Sequence, residues 1–317
     1  MTKAQVKTFA AKVTNTCASP AIELVYAATS LTSMRAAIDS GADCIQLNCL
    51  ASEGNNSHPD LNFTIGNISK AIRHAHNHAC RAVLALESGS GAANWMQCRK
   101  LVDQAVESGA DALVLCDPAL MLYASSKYPA LDIHLSLADA MLSPDAVDFY
   151  AKHFGIRRIV LPRVLSMPKL QEITRNTGVE LEIFGFGSMC MFVSGRTAHS
   201  YHFRSNQNLL LNAKAVAPAE LFMDGRCSQG QEAANDHYYS ADGARDLNAL
   251  RLLPQLVQTG IHAIRIEGYG RDSYYAAQVT KVWREALDEC LAGSEDFSLK
   301  PAWIADLGKP YKVRRAS

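Results

Sequence analysis

The 317-residue chain lacks a charge bias: 31 basic and 31 acidic side chains leave a formal net charge of +0. Balance of this kind carries no strong nucleic-acid signal and none for an anionic membrane surface, since both call for clustered positive charge. Long hydrophobic runs are missing as well. No apolar stretch reaches the roughly 18–20 residues of a membrane span. Met1 to Thr16 lacks the apolar core of a secretory leader. The expectation is a cytoplasmic protein with no membrane partner. Nine cysteines occur, but the count is odd and no Cys-x-x-Cys is found, so a disulfide framework is not expected. There is no His-Glu-x-x-His, the usual helix-borne zinc-peptidase motif, and no ordered nucleophile motif of the Ser/His/Asp type. The turn Ser88-Gly89-Ser90-Gly91 is not followed by Gly-Lys-Ser/Thr, which leaves only a weak phosphate signal.

What the chain does have is rhythm. Hydrophobic residues make up 48% of it, and eight short apolar runs end in small, polar or charged residues. They are Glu23–Ala27, Cys44–Leu47, Ala82–Glu87, Ala112–Asp117, Asp132–Ser136, Arg158–Arg163, Glu180–Gly185 and Ala263–Glu267. Most gaps hold one helix-length segment, as at Met34–Ser40, where Thr32 or Ser33 can cap the helix and Gly41 supplies a left-handed exit. Strands alternating with helices predict parallel βα units, and eight such units close into a (β/α)8 TIM-type barrel of about 250 residues. The rhythm breaks from Met191 to Gly243, where only Leu209–Leu211 and Leu221–Met223 read as short strands. Helical spacing returns at Asp246–Val257. The predicted organisation is an N-terminal extension over 1–22, a barrel over 23–292 with an insertion after strand seven at about 191–243, and a polar C-terminal extension over 293–317.

Barrels of this kind place chemistry at the C-terminal ends of their strands, and that rule selects the candidates. Glu267 ends strand eight before Gly268 and Gly270, which permit close backbone approach to a ligand. It can act as a base, a ligand, or an ion-pair partner of Arg265 or Arg271 at the rim. His134 and Ser136 share one face of strand five, and histidine transfers protons near neutral pH. Glu87 ends strand three. Arg163 ends strand six and Arg196 follows Ser194-Gly195, a pair suited to gripping a small anion. Tyr201 lies close enough in sequence to line the same mouth. Cys44, Cys98, Cys116 and Cys290 read as small buried hydrophobes. Cys49, Cys190 and Cys227 sit at or beyond strand ends and stay open to chemistry.

Several of these residues carry a resemblance. Ala36-Ala37-Ile38-Asp39-Ser40-Gly41-Ala42-Asp43, Ile133-His134-Leu135-Ser136, Cys190 with Ser194-Gly195-Arg196, Tyr238-Tyr239-Ser240, and Ile266-Glu267-Gly268 occur in that order. Together they resemble the collagenase-like peptidase family, whose superfamily includes the UbiU- and UbiV-type proteins of oxygen-independent ubiquinone hydroxylation and RNA hydroxylation factors. The resemblance implies four cysteines around the insertion, which in UbiU-like members hold a [4Fe–4S] cluster through soft thiolate ligands. Cys190 matches the first of these positions, but Thr197 stands at the second and Asn206–Val216 contains none. A cluster here would need Cys190, Cys227 and Cys49 together with a further group. The family's Arg-Glu-Leu-Ser reads Arg163-Val164-Leu165-Ser166, without its glutamate.

The resemblance therefore implies a barrel protein of the hydroxylation branch acting on a small anionic or aromatic metabolite, prephenate-like in charge. Glu267 and His134 would handle protons, and Arg196 or Arg163 would clamp the anion. A peptidase is the alternative, with the Cys190 thiol as nucleophile and His199 or His202 as base. A third reading is a non-catalytic subunit paired with a related barrel protein.

Overall fold

The structure, a computed structural model, describes residues 22–50, 63, 65–87, 92–136, 144–162, 165–188, 240–242, 246–268, 271–293 and 297–308. Strands and helices alternate as β1 (Glu23–Ala28), α1 (Leu31–Asp39), β2 (Cys44–Leu50), α2 (Ile65–Asn77), β3 (Arg81–Glu87), α3 (Ala92–Glu107) and β4 (Ala112–Leu115). The order continues with α4 (Pro118–Lys127), β5 (Asp132–Ser136), α5 (Pro144–Phe154), β6 (Ile156–Val160), α6 (Met167–Asn176) and β7 (Glu180–Ser188). A short hairpin of β8 (Ser240–Asp242) and β9 (Asp246–Asn248) precedes α7 (Leu253–Gln258), β10 (Ala263–Glu267), α8 (Ser273–Leu291) and α9 (Pro301–Leu307).

β1 to β7 pair in parallel with their neighbours, and β10 pairs in parallel with both β7 and β1. The ring of eight strands is closed, so the chain folds as a TIM-type (β/α)8 barrel. The helix-facing side of each strand is aliphatic or aromatic, with Leu24, Tyr26, Ile45, Leu47, Leu84, Leu113, Ile264 and Ile266 all buried. α8 answers with Tyr275, Ala276, Val279, Val282, Trp283, Ala286 and Leu287, spaced three and four apart on one buried stripe.

Four expected boundaries shift, each for a local reason. The cap of α1 is Ser30, whose side chain accepts from Ser33 N at 3.1 Å while Ser33 Oγ receives Ser30 N at 3.3 Å. This reciprocal pair takes the place of the expected Thr32 or Ser33 cap. β4 ends at Leu115 because Asp117 caps α4, accepting from Ala119 N at 2.8 Å and Leu120 N at 3.2 Å, with Pro118 in the first turn. Cys116, expected in that strand as a buried thiol, is therefore exposed. β6 runs over Ile156–Val160 rather than to Arg163, since Pro162 has no N–H to offer a neighbouring strand. Asp246–Asn248, expected to open a helix, is instead a strand paired antiparallel with the part of β7 that rises past the barrel rim. The helix itself starts at Leu253, with Pro254 in its first turn.

The C-terminal extension is more than a solvated tail. α9 buries Trp303 and Leu307, and Trp303 Nε1 donates to Glu285 Oε2 at 3.1 Å. Residues 191–239, which hold most of the expected insertion and its two short strands, lie outside the described residues.

Candidate functional site

Side chains alternate across a strand, so in β1 the residues Glu23, Val25 and Ala27 face inward while Leu24 and Tyr26 meet the helices. Register carries this parity around the ring: Val25 pairs with Cys44, Cys44 with Arg81, Val114 with His134, His134 with Arg158, and Ala27 with Glu267. Strand tilt raises the level by about one residue per strand, so each interior layer takes side chains from alternate strands. From the N-terminal end upward, the layers begin with Glu23, Arg81 and Glu180, followed by Cys44, Ala112, Arg158 and Ala263. Val25, Val83, His134 and Glu182 come next, then Gln46, Val114, Val160 and Arg265. Ala27, Ala85, Ser136 and Phe184 form the floor of the mouth. Asn48 and Glu267 stand at its rim.

The lower half of this interior is ionic. Glu23 accepts from Arg81 Nη1 at 2.9 Å and from Arg158 Nη1 at 2.5 Å. Arg158 also donates to Glu180 Oε2 through Nε at 3.0 Å and Nη2 at 2.8 Å, and it reaches Glu182 at 3.4 Å. Arg265 Nε donates to Glu182 Oε1 at 2.6 Å. Three guanidiniums thus answer three carboxylates. Burial alone would lower the pKa of Arg158, but Glu23 and Glu182 more than offset it and hold the guanidinium above its ordinary value. Burial would raise Glu180, yet its bonds to Arg158 hold it below the usual carboxylate range. Removing one member of such a set leaves an uncompensated buried charge.

At the top of the ion network and just above it, three buried polar groups of the barrel interior carry atoms with no partner. Gln46 Nε2 donates to Asn48 Oδ1 at 2.7 Å, while Gln46 Oε1 has no hydrogen bond. Neither His134 Nδ1 nor Nε2 is bonded, and Arg265 Nη2 is likewise unused. The Arg265 guanidinium lies over the Phe184 ring at 5.2 Å, beneath the mouth. Burial, and then the charges of Arg158, Arg81 and Arg265, hold the His134 pKa well below the usual histidine value, so its imidazole is neutral at pH 7. It can donate from one nitrogen and accept at the other.

The expected site residues separate by depth. Glu267 is buried at the rim of the mouth, and its carbonyl accepts from Tyr275 Oη at 3.0 Å. Gly187 (φ +134°) backs it so closely that an added Cβ would stand 2.5 Å from Glu267 Cβ. Burial, then the negative charge of Glu267, push the neighbouring Tyr26 phenol far up. His134 faces the same interior three layers lower, so these two groups share a column rather than a level. Ser136 lies between them, half-buried at the end of β5. Arg265, expected as an ion-pair partner for Glu267 at the rim, turns its Nε down to Glu182 instead. Glu87 is the last residue of β3, in register with Leu50. Arg163, Arg196, Tyr201, Cys190 and Cys227 lie outside the described residues.

Cys49 follows inward Asn48 along β2, so it faces the helices. It is buried, and burial pushes its thiol up to about 12. A protonated thiol on the outer face does not fit a cluster over the mouth. Among the described residues, no group of three or more His, Cys, Asp or Glu side chains is arranged to hold a metal ion. Nor is any described helix long and apolar enough to cross a membrane.

The sequence reading missed Gln46, Arg158, Glu182 and Arg265. The signal that would have found them is a period of two within strands: Arg265-x-Glu267, Glu180-x-Glu182 and Gln46-x-Asn48 alternate with aliphatic residues. In a closed barrel with an apolar outer face, that alternation makes the interior polar.

The chain is similar in sequence to several known proteins. The tRNA hydroxylation protein P1 of Bacillus subtilis is 24% identical over 304 residues, covering 90% of this chain and 68% of that protein. The tRNA hydroxylation protein P of Haemophilus influenzae is 27% identical, covering 86% of this chain and 68% of its own length. A collagenase of Porphyromonas gingivalis is 24% identical, covering 91% and 71%. The profile described as peptidase family U32 matches residues 29–315. By that match, which takes in every strand of the barrel after β1, the chain belongs to peptidase family U32.

Proposed function

We propose that this barrel takes part in the hydroxylation of tRNA, binding in its mouth a small anionic metabolite on which that hydroxylation depends. The observation that carries the reading is the polar column of Gln46, His134 and Arg265, whose unused atoms lie beneath the layer of Ala27, Ala85, Ser136 and Phe184 in a closed ring. A buried polar atom without a partner costs about 1–3 kcal/mol, a cost that a bound ligand removes. The names of the relatives in B. subtilis and H. influenzae favour tRNA over a quinone as the hydroxylated product. Within the site, neutral His134 would relay a proton, and Glu267 would act as base or ligand at the rim. Arg196 and Arg163 remain the proposed outer clamp on the anion, with Ser136, Glu87 and Tyr201 as further contacts. A related barrel protein remains the proposed partner, and the cytoplasm the proposed location.

The test is mass spectrometry of tRNA nucleosides from host cells with the gene deleted and then restored. The reading expects a nucleoside one oxygen heavier than its parent to disappear on deletion and return on restoration. An unchanged nucleoside profile would overturn it. A peptidase reading draws on the relative named collagenase. Its nucleophile would be Cys190 with His199 or His202 as base, and the names of the relatives in B. subtilis and H. influenzae favour the hydroxylation reading over it.

A further inference from the structure

We infer that Arg265 and Gln46 form the inner half of a binding site for a small molecule carrying both a carboxylate and a hydroxyl. This rests on the reading that the barrel mouth holds a small anionic metabolite, and it assigns that molecule's polar groups to residues deeper than the outer arginines.

Three observations converge. Arg265 is 4% exposed, its Nε is committed to Glu182 at 2.6 Å, and its Nη2 has no partner. Nη2 is a charged donor, and the strongest acceptor for it is a carboxylate oxygen. Gln46 is also 4% exposed and stands in the same layer. Its amide is anchored by the 2.7 Å bond to Asn48, which leaves Oε1 as an unused acceptor that calls for a ligand donor. One layer below, His134 supplies a neutral donor and acceptor with both nitrogens unengaged.

The layer above carries small side chains on two of its strands. Ala27 and Ala85 stand where a barrel interior ordinarily carries branched aliphatic side chains. Phe184 covers the guanidinium at 5.2 Å and gives an apolar wall. The ion network beneath fixes Glu182 and hence the orientation of Arg265, so the donor is held in place before anything binds. A carboxylate alone would leave Gln46 Oε1 unpaired, and an alcohol alone would leave Arg265 Nη2 unpaired. A ligand with both groups satisfies both atoms, and that defines its class.

The experiment measures thermal unfolding of the full chain with a graded set of probes. Mandelate and lactate carry both groups, phenylacetate and propionate lack the hydroxyl, and benzyl alcohol lacks the carboxylate. At least one of the hydroxy acids should raise the Tm saturably, with an affinity at least tenfold above its matched simple acid. Arg265→Lys keeps a charge near Glu182 but shortens the donor, and it should weaken every carboxylate probe at least tenfold. Gln46→Leu removes the unpaired acceptor without introducing a charge. It should still fold, since Asn48 Oδ1, which loses its donor, sits on a partly exposed rim residue, and it should bind a hydroxy acid no better than its matched acid.

The inference is overturned if neither hydroxy acid raises the Tm, if Arg265→Lys binds like the parent, or if Gln46→Leu keeps the preference for the hydroxyl. Restoring the deleted gene with each variant separates the two claims. Probe binding that depends on both residues, with tRNA unchanged by deletion, leaves the site standing and removes the tRNA reading. Full restoration of the heavier nucleoside by both variants leaves the tRNA reading standing and removes the site.

Discussion

At the scale of single residues, Arg158 is the centre of the lower barrel. It holds Glu23, Glu180 and Glu182 at once. Arg158→Ala leaves those carboxylates short of one buried positive charge, and urea denaturation should show a loss of about 3–5 kcal/mol. His134 makes a pH prediction. Its folded pKa lies below that of the unfolded chain, about 6.5, so below that pH the unfolded state binds the extra proton. Its contribution to stability is present above pH 6.5 and is lost as pH falls, with a slope approaching ~1.4 kcal/mol per pH unit. His134→Gln should flatten that part of the stability profile. An unchanged slope would show that His134 is not buried neutral. Gly187→Ala places a methyl group against Glu267 at φ +134°, so it should destabilise the fold and displace the rim carboxylate together. His134, Ser136 and Glu267 were legible because strand parity alone puts them inside. The depth that separates His134 from Glu267 was not, because it depends on strand tilt, which appears only when eight registers are combined.

At the scale of elements, most strands and helices follow from periodicity, and the misses trace to caps and edges. α1 illustrates the first kind: a run of Ser30, Thr32 and Ser33 offers several caps, and only geometry selects Ser30. Ser30→Ala should cost about 1 kcal/mol, while Thr32→Ala, whose exposed hydroxyl only touches Ser30 Oγ at 3.0 Å, should be close to neutral. Equal losses from the two substitutions would contradict this assignment. β9 illustrates the second kind. Its three residues read as the start of a helix, and they pair as a strand because β7 presents an edge above the rim. A long-range partner of that sort leaves no local mark in the sequence.

At the scale of the whole molecule, zero net charge coexists with a strongly charged interior. Overall balance is a statement about long-range fields, whereas the alternating charges of Arg265-x-Glu267 and Glu180-x-Glu182 are collected by ring closure into one buried column. Closure also explains why the chain dedicates polar side chains to its core. The charged side chains of the lower layers bond to one another, while His134, Gln46 and Arg265 keep unused atoms beneath the mouth, which the proposed ligand would satisfy. The most direct test is a crystal structure of the full chain grown with the hydroxy acid that raises its Tm most. The expected density places the carboxylate within hydrogen-bond distance of Arg265 Nη2 and the hydroxyl on Gln46 Oε1, inside a closed ring of eight parallel strands. Density for the acid elsewhere, with Arg265 Nη2 bonded to a side chain of the protein, would contradict it.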